Sequence, residues 1–360
     1  MNTQILLLPI ISFLFTLFNI PGLRIIAHYI GLVDKPNHRK VHLNPIPLVG
    51  GVSIFISTLL TIFMTMAPSD LKSYYSMFIG TSILHVMGVI DDRFDLRASI
   101  KLIIQILLAH YIFTQGIKIE SLHGLFGIYE LPVLIQYLLT IIIITGVVNA
   151  FNLMDGIDGL AAGLSIVSFI MFAILSYILG NEIFVLIFTT LSGATMAFLF
   201  YNLGKNRKVF MGDAGSLMIG FILAVSGIKL LQSGNDGVSM SQIMLGVIFV
   251  FIIPVFDALR VFRKRIKSGK SPFTADRSHL HHLFLSTGLK HKKAAAMIIL
   301  LMIAIIVIGY ISFSFVGLTI SFVLSILIFM SISYGLQLND QINHWKKKIK
   351  DLEKENNKMK

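Results

Sequence analysis

The sequence predicts an all-α membrane protein that crosses the bilayer many times. Of its 360 residues, 55% are hydrophobic and only 13% are charged, and the mean hydropathy is +0.82. Soluble globular domains carry about 25% charged residues, so an ordinary soluble protein is excluded. The chain has no cysteine, which excludes a disulfide scaffold, a cysteine-ligated zinc or iron–sulfur site and a cysteine nucleophile.

Eleven stretches are long and apolar enough to cross a bilayer core, which takes about 20 mostly apolar residues per helix. They are residues 3–20, 46–67, 74–91, 99–115, 132–149, 160–179, 183–201, 214–232, 241–259, 294–312 and 315–335. The fourth stretch is the most polar, since it contains Lys101, Gln105 and His110. The first stretch lacks the basic start and cleavage site of a signal peptide, so we expect a membrane helix there.

Alternation of these stretches across the membrane collects the basic residues on one side. The connections on the side of the C-terminus, with the adjacent helix ends, contain all of the 30 Lys and Arg except Lys72, Lys118 and Lys229. Basic residues favour the cytoplasmic side of membrane proteins. We therefore predict a multi-pass protein of the cell (inner) membrane with its N-terminus outside and its C-terminus inside. The net charge of +12 follows from this topology and does not indicate nucleic-acid binding.

Acidic residues also collect on the predicted cytoplasmic side, and the first cluster is DDRFD (91–95), directly after the apolar run 83–90. Adjacent carboxylates repel each other unless a cation holds both of them charged. Magnesium binds in this way, through one or two carboxylates and the phosphate oxygens of a substrate. A polar helix end facing water is the alternative, but three acids in five residues exceed what a helix end needs.

Two further polar segments lie at predicted cytoplasmic helix ends. Residues 149–159 contain two Asn and two Asp but no Lys or Arg. Asp155 and Asp158 are three positions apart and share a helical face, which indicates a hydrogen-bonding pocket. Residues 210–216 form a glycine-rich turn that opens a helix, and such a turn offers free amides to an anion while Asp213 holds an accompanying metal. Helix capping is the alternative for both segments.

Two basic segments lie on the same predicted side. The loop 260–293 carries seven Lys and Arg before HLHH (279–282), and three histidines this close together suit metal binding, proton donation or phosphate contact. Residues 35–51 combine a basic run with PIPLVGG (45–51), which suits phosphate binding. A solvated loop that follows the positive-inside rule is the alternative for both.

A membrane face with this set of residues suits a water-soluble phosphate substrate that meets a lipid-borne partner. Phosphoryl transfer requires mainly positioning and charge neutralisation. A divalent cation would bridge pyrophosphate oxygens, and cationic side chains would stabilise the phosphate of a leaving nucleotide.

Five motifs occur in a fixed order on this face. They are PIPLVGG (45–51), DDRFD (91–95), NAFNLMDGIDGLAAG (149–163), VFMGDAGSL (209–217) and SPFTADRSHLHHLF (271–284). In these motifs the chain resembles the polyprenyl-phosphate N-acetylhexosamine-1-phosphate transferase family (glycosyltransferase family 4 type) of bacterial envelope synthesis. The resemblance covers nearly the whole chain. The DRSHLHH form is similar to the branch that moves N-acetylglucosamine 1-phosphate to undecaprenyl phosphate. It differs from the sister branch that moves phospho-N-acetylmuramoyl-pentapeptide.

The resemblance implies a specific reaction, in which UDP-N-acetylglucosamine and undecaprenyl phosphate give undecaprenyl-diphosphate-N-acetylglucosamine and UMP. It implies magnesium as the cofactor, with manganese as an alternative. The product would begin a lipid-linked glycan of the cell envelope, such as lipopolysaccharide O-antigen or a cell-wall polymer.

The resemblance also implies roles for individual residues. Asp91, Asp92 and His279 would be catalytic, and Asp92 and Asp213 would hold the metal. Asp91 would serve as base, nucleophile or metal neighbour. The implied substrate-binding residues, including an aromatic ring for the uracil, are Asn152, Asp155, Asp158, Phe210, Arg265, Arg277, His281, His282 and Lys40.

The predicted domain boundary separates a membrane domain, 1–335, from a cytoplasmic helix, 336–360. An apolar seam with alternating spacings of four and three runs along this helix. Its members are Leu338, Ile342, Trp345, Ile349, Leu352, Asn356 and Met359. A short parallel coiled coil that joins two copies of the chain and an amphipathic helix on the membrane surface explain this seam equally well.

Several other functions stay open at this point. The donor could be another UDP-N-acetylhexosamine or UDP-N-acetylmuramoyl-pentapeptide. A UbiA-type prenyltransferase also uses aspartate-rich magnesium motifs, but it needs a second DxxxD-type site and has no use for the histidine loop. A transporter would place charged residues near the middle of the bilayer, whereas the charged residues of this chain crowd one face.

Overall fold

The computed structural model describes residues 2–35, 44–234, 238–269, 271 and 278–359. The α-helices are α1 Asn2–Ile30, α2 Gly50–Thr65, α3 Pro68–Leu71, α4 Tyr75–Phe94, α5 Ala98–Thr114, α6 Val133–Leu153, α7 Leu160–Ile178, α8 Glu182–Asn202, α9 Asp213–Gln232, α10 Met240–Lys267, α11 Leu280–Ser286 and α12 His291–Met359. Short 3-10 helices cover Lys72–Tyr74 and Leu125–Gly127. The two strands, β1 Val33–Asp34 and β2 Ile46–Pro47, pair antiparallel. The predicted all-α architecture is confirmed.

Eight helices of the described part are long and apolar enough to cross a membrane, namely α1, α4 together with the turns before it, α6 to α10 and α12. The apolar helices α2 and α5 are shorter, with 16 and 17 residues. Helix α12 is 69 residues long and contains a break at Gly317, so it holds the last two predicted stretches. A helix thus lies at each of the eleven stretches. The chain is a polytopic membrane protein, and the number of crossings and their orientation stay predictions.

The structure corrects the position of the last turn. The sequence suggested a gap between residues 312 and 315, but α12 continues through them and leaves helical geometry only at Gly317, with φ 74° and ψ −176°. The residues before it can all adopt helical geometry, whereas a positive φ is accessible to glycine at little cost because it has no Cβ atom.

Helix α9 lies at the centre of the bundle, and all but three of its 20 residues are buried. Helix α4 approaches its backbone directly, since a Cβ atom at Gly88 would lie 2.4 Å from the Cα atom of Ala214. Helix α6 comes nearly as close at Gly220, where a Cβ atom would lie 2.9 Å from the Cα atom of Val148. Small residues allow such close packing of membrane helices. The C-terminal ends of α4 and α6 are therefore held beside the N-terminus of α9.

The PIPLVGG segment binds backbone, which differs from the phosphate-binding role suggested by its composition. The amide of Gly50 donates to the carbonyl of Phe210 at 2.9 Å, and the amide of Gly51 donates to Met211 at 2.9 Å. The amide of Phe210 in turn donates to Pro47 at 2.9 Å. Because these Gly-Gly amides already have partners, the segment positions the loop before α9 and does not offer them to an anion.

The predicted orientation can be tested with single cysteines, because the natural chain has none. Glu130 and Lys205 are both exposed and lie in connections on opposite predicted sides. In cells with an intact plasma membrane, we expect an impermeant maleimide to label Glu130→Cys and to label Lys205→Cys only after permeabilisation. Labelling of Lys205→Cys in intact cells would contradict the inside location of the motifs.

Candidate active site

Asp92, near the C-terminal end of α4, binds the N-terminus of α9. Its Oδ1 atom accepts from the backbone amide of Asp213 at 2.9 Å, and its Oδ2 atom accepts from the amide of Ala214 at 3.2 Å. The first amides of a helix have no partner within the helix and carry partial positive charge. The expectation that these amides are free for an anion is therefore wrong, because a carboxylate of the chain itself occupies them. The same contact brings Asp92 and Asp213 together, as predicted.

This contact requires glycine at position 212. Gly212 has φ +74°, in the left-handed region that favours glycine. A Cβ atom there would also lie 2.4 Å from the Oδ2 atom of Asp92. Any side chain at this position would thus disturb both the turn and the carboxylate that it faces.

Asp91 is the other member of the predicted pair, and it is buried with both oxygens engaged. Its Oδ1 atom accepts from the amide of Leu96 at 2.7 Å, and its Oδ2 atom lies 2.6 Å from the Nζ atom of Lys101. The same Nζ atom lies 3.3 Å from Asp213 Oδ2. Lys101 therefore bridges two of the predicted catalytic and metal-binding acids.

The sequence does not single out Lys101 as a site residue, because its only visible feature is that it interrupts an apolar stretch. The signal was present, since an ionisable side chain within a membrane helix is costly and normally has a partner or a function. The sequence could not identify the partners, because Asp213 lies 112 positions away along the chain.

The end of α6 and the loop after it contribute two of the predicted polar residues. The Nδ2 atom of Asn152 donates to the Oγ atom of Ser216 at 3.0 Å, which joins α6 to α9. Asp155 lies close to the backbone amide of Gly212 and to the carboxyl groups of Asp213 and Asp92. Burial, together with the carboxylates of Asp213 and Asp92, raises the pKa of Asp155 well above its usual value. Asp155 therefore belongs to the same group of acids.

These acids suit a divalent cation that arrives with a phosphate. Within the described residues, no group of three or more His, Cys, Asp or Glu side chains is arranged to hold a metal alone. Magnesium, however, often takes only one or two carboxylates and completes its shell with water and phosphate oxygens. Asp92 and Asp213 adjoin each other, and the crowding of like charges that raises the pKa of Asp155 is relieved by a cation. The donor set thus fits magnesium.

Asp158, which was predicted to lie with Asp155, faces a different partner. Its Oδ2 atom lies 2.6 Å from the Nζ atom of Lys208, and the ring of His291 is 4.0 Å away. Lys208 also lies over the ring of Phe210, with its Nζ atom 5.2 Å from the ring centroid. Asp158 therefore orients the lysine beside the aromatic ring that is predicted to stack on the base.

The histidine segment is organised by Asp257, a residue that the sequence analysis missed. Asp257 is fully buried in α10, and its Oδ2 atom lies 3.0 Å from the Nδ1 atom of His279. It also accepts from the amide of Leu280 and lies 2.5 Å from Arg260. An acid in an apolar helix was again the available signal. With Nδ1 bound to a carboxylate, His279 keeps its Nε2 atom for another partner.

His281 connects this segment to the loop that carries Asp155. A Cβ atom at Gly156 would lie 2.5 Å from the Nε2 atom of His281, so the ring sits directly against the backbone of that loop. Burial and the neighbouring His282 and His279 lower the pKa of His281 to about 3. His281 is therefore a neutral imidazole near pH 7. A neutral His281 could form a hydrogen bond with a substrate phosphate, but it would not supply positive charge.

The other predicted substrate-binding residues make fewer described contacts with the rest of the site. The ring of His282 lies 4.2 Å from that of His281, centroid to centroid. Arg265 is buried near the end of α10, with its guanidinium 5.8 Å from the ring centroid of Phe262. Lys40 and Arg277 lie outside the described residues. The sequence-based predictions for those two positions stay predictions.

Fold and site together define a polytopic helical membrane protein with acids, a bridging lysine and histidines at one end of its bundle. Residues 74–231 match the family described as Glycosyl transferase family 4. A relative from Yersinia pestis, an undecaprenyl-phosphate alpha-N-acetylglucosaminyl 1-phosphate transferase, is 34% identical over 305 residues, 83% of this chain and 82% of its own.

Two further relatives extend the comparison. A protein of the same name from Escherichia coli O157:H7 is 32% identical over 345 residues, 94% of this chain and 92% of its own. A probable undecaprenyl-phosphate N-acetylglucosaminyl 1-phosphate transferase from Bacillus subtilis is 34% identical over 295 residues, 81% of this chain and 80% of its own. The chain therefore belongs to this family of membrane-bound transferases and is an enzyme.

The bridging lysine leads to a first prediction for this site. Replacing Lys101 with Met should lower activity about 100-fold, because two carboxylates lose their shared cation at the place where phosphate charge must be neutralised. Lys101→Arg should retain more activity than Lys101→Met. Lys118→Met, on the opposite predicted side, is the control and should act like the natural enzyme. Initial rates of the purified variants test this, and a Lys101→Met rate within twofold of the natural rate would contradict the assignment.

A second prediction concerns Asp257, which we expect to act through His279. Asp257→Asn should lower kcat about 10- to 100-fold, the range known for carboxylates that orient metal-bound histidines. His279→Ala should be at least as damaging. The double variant should be no worse than His279→Ala alone, because two residues that act as one unit are not additive. Losses that multiply would show that Asp257 works independently of His279.

Proposed function

We propose that this enzyme transfers N-acetylglucosamine 1-phosphate from UDP-N-acetylglucosamine to undecaprenyl phosphate. One observation carries the proposal: Asp92 binds the first amides of α9 beside the bridge from Asp91 through Lys101 to Asp213. This arrangement concentrates charge where a phosphate from water meets a lipid phosphate. The names of the relatives supply the two substrates. We place the reaction on the cytoplasmic face of the inner membrane, as the first lipid-linked step of an envelope glycan.

The proposed step is a displacement at phosphorus. An oxygen of the lipid phosphate forms a bond to the β-phosphorus of the UDP-sugar. The bond between this phosphorus and the oxygen that links it to the α-phosphate breaks, and UMP leaves with that oxygen. Magnesium held by Asp92 and Asp213 would supply charge neutralisation on the pyrophosphate.

The sequence left open whether Asp91 is a base, a nucleophile or a metal neighbour, and its described contacts favour a different role, in which it orients Lys101. A phosphate monoester has a second pKa of about 6, so the lipid phosphate is already largely ionised near neutral pH and needs no base. Both oxygens of Asp91 are also engaged, one by Leu96 and the other by Lys101. We infer that Asp91 holds Lys101 in place for the attacking phosphate.

The nucleotide is proposed to lie between the loop after α6 and the loop before α9. Phe210 is partly exposed there and would stack on the uracil, next to Lys208. His279 and His281, with Arg265, would contact the phosphates of the sugar nucleotide. The predicted homodimer is a further proposal, and it rests on the C-terminal part of α12.

Release of UMP tests the proposed function directly. Purified enzyme in lipid vesicles should release UMP from UDP-N-acetylglucosamine only when undecaprenyl phosphate and magnesium are both present, and EDTA should abolish the reaction. Asp92→Asn and Asp213→Asn should lower the rate about 100-fold or more, because each removes a carboxylate from the cation site. A panel with UDP-N-acetylgalactosamine and UDP-N-acetylmuramoyl-pentapeptide identifies the donor. No UMP from any UDP-sugar would reject the proposal.

A further inference from the structure

The last helix continues far beyond the length that a bilayer requires. Gly317 is the only position within α12 that leaves helical geometry. At 1.5 Å per residue, the segment Leu318–Met359 is about 63 Å long, whereas the hydrocarbon core of a bilayer is about 30 Å thick. About half of this helix therefore projects past the membrane boundary.

The projecting half carries an apolar seam that the described fold leaves uncovered. Leu338, Ile342, Trp345, Ile349 and Leu352 are all between 41% and 60% exposed. Their spacings of four and three place them on one face of a straight helix. Leaving five large apolar side chains in water is unfavourable, so a surface that covers this seam would lower the free energy.

The bilayer surface is a poor occupant for this seam. A helix that lies on a membrane must turn away from the span before it, and α12 has no break between Gly317 and Met359. From Leu338 to Leu352 the seam advances about 21 Å along the helix axis. A continuous helix therefore carries most of the seam away from the headgroups into the cytoplasm.

The side chains of the seam match those of a parallel pair of identical helices. In heptad notation, Ile342 and Ile349 occupy a positions, and Leu338 and Leu352 occupy d positions. β-Branched residues at a with leucine at d favour parallel two-stranded coiled coils. Two copies in one membrane would also send these helices out on the same side, which makes a parallel arrangement the natural one.

The flanking charges support the same pairing. Lys348 occupies a g position and Glu353 the e position that follows it. In a parallel pair, a g residue of one helix faces the next e residue of the other. Lys348 of each copy therefore faces Glu353 of the second copy, and the twofold symmetry makes two attractive pairs.

We propose that residues 338–359 of two copies form a parallel two-stranded coiled coil that joins the enzyme into a dimer. About three heptads would pair weakly in free solution. Confinement of both copies to one membrane raises their effective concentration and makes pairing favourable. The dimer then presents two active sites on the same side of the membrane.

Engineered cysteines test the geometry, since the chain contains no cysteine of its own. With the full-length protein in lipid vesicles, Ile342→Cys and Leu352→Cys should each give a disulfide-linked dimer on mild oxidation. Asn343→Cys, at an outward-facing b position and nearly the same depth, is the matched control and should stay monomeric in a denaturing gel. Equal cross-linking of Asn343→Cys and Ile342→Cys would overturn the proposal.

A charge exchange tests the register independently. Glu353→Lys places like charges opposite each other in both symmetric pairs and should weaken dimerisation about tenfold. The double variant Lys348→Glu/Glu353→Lys should restore it. Unchanged dimerisation in the single variant, or no recovery in the double variant, would overturn the pairing.

The single tryptophan of the chain distinguishes the two possible occupants. Trp345 lies in the seam, so iodide should quench its fluorescence only weakly in the natural protein. In Glu353→Lys, iodide should reach the indole ring and quench its fluorescence more strongly. Brominated lipids should quench it little. Strong quenching by brominated lipids would place the seam on the bilayer and reject the coiled coil. UMP release should be unaffected by these tail variants, so this outcome is independent of the proposed catalytic function.

Discussion

The organisation of the site depends on a contact between the end of one helix and the start of another. Asp92 places a carboxyl group at the end of α4, and the first amides of α9 lack partners within their own helix. Either group left without a partner in a poorly hydrated region is costly. Binding each other satisfies both, and it places Asp213 close to Asp91, the residue directly before Asp92 in α4.

The contact is possible because the helix backbones approach more closely than ordinary side chains allow. Gly88 lets α4 touch α9, and Gly212 accepts both the positive φ and the nearby carboxylate. This close approach brings the carboxyl groups of Asp91, Asp92 and Asp213 together, and Lys101 offsets part of their mutual repulsion. The described site keeps more carboxylates than cations, which agrees with the magnesium and phosphate binding that we propose.

The acids around Asp92 form one group of contacts, and the histidine segment forms a second group on the other side of the loop after α6. Asp257 fixes His279, and His281 fits against Gly156 in the same loop that carries Asp155. This loop therefore contacts both the acids and the histidines. The two groups are far apart in sequence, yet each contains a buried acid that holds a basic side chain, Asp91 with Lys101 and Asp257 with His279. A change in the loop is expected to affect both.

The sequence by itself determined the helical membrane architecture, the helix positions and the segments that carry the site. These features are encoded locally, in apolar length and in the spacing of polar residues. Only the tertiary structure decided that Asp92 occupies the amides of α9, that Lys101 joins two acids and that Asp257 holds a histidine. These contacts join residues between 10 and 122 positions apart, and no local pattern specifies which distant groups will meet. PIPLVGG shows the same limit: its composition suits phosphate, but the packed loop before α9 uses its amides first.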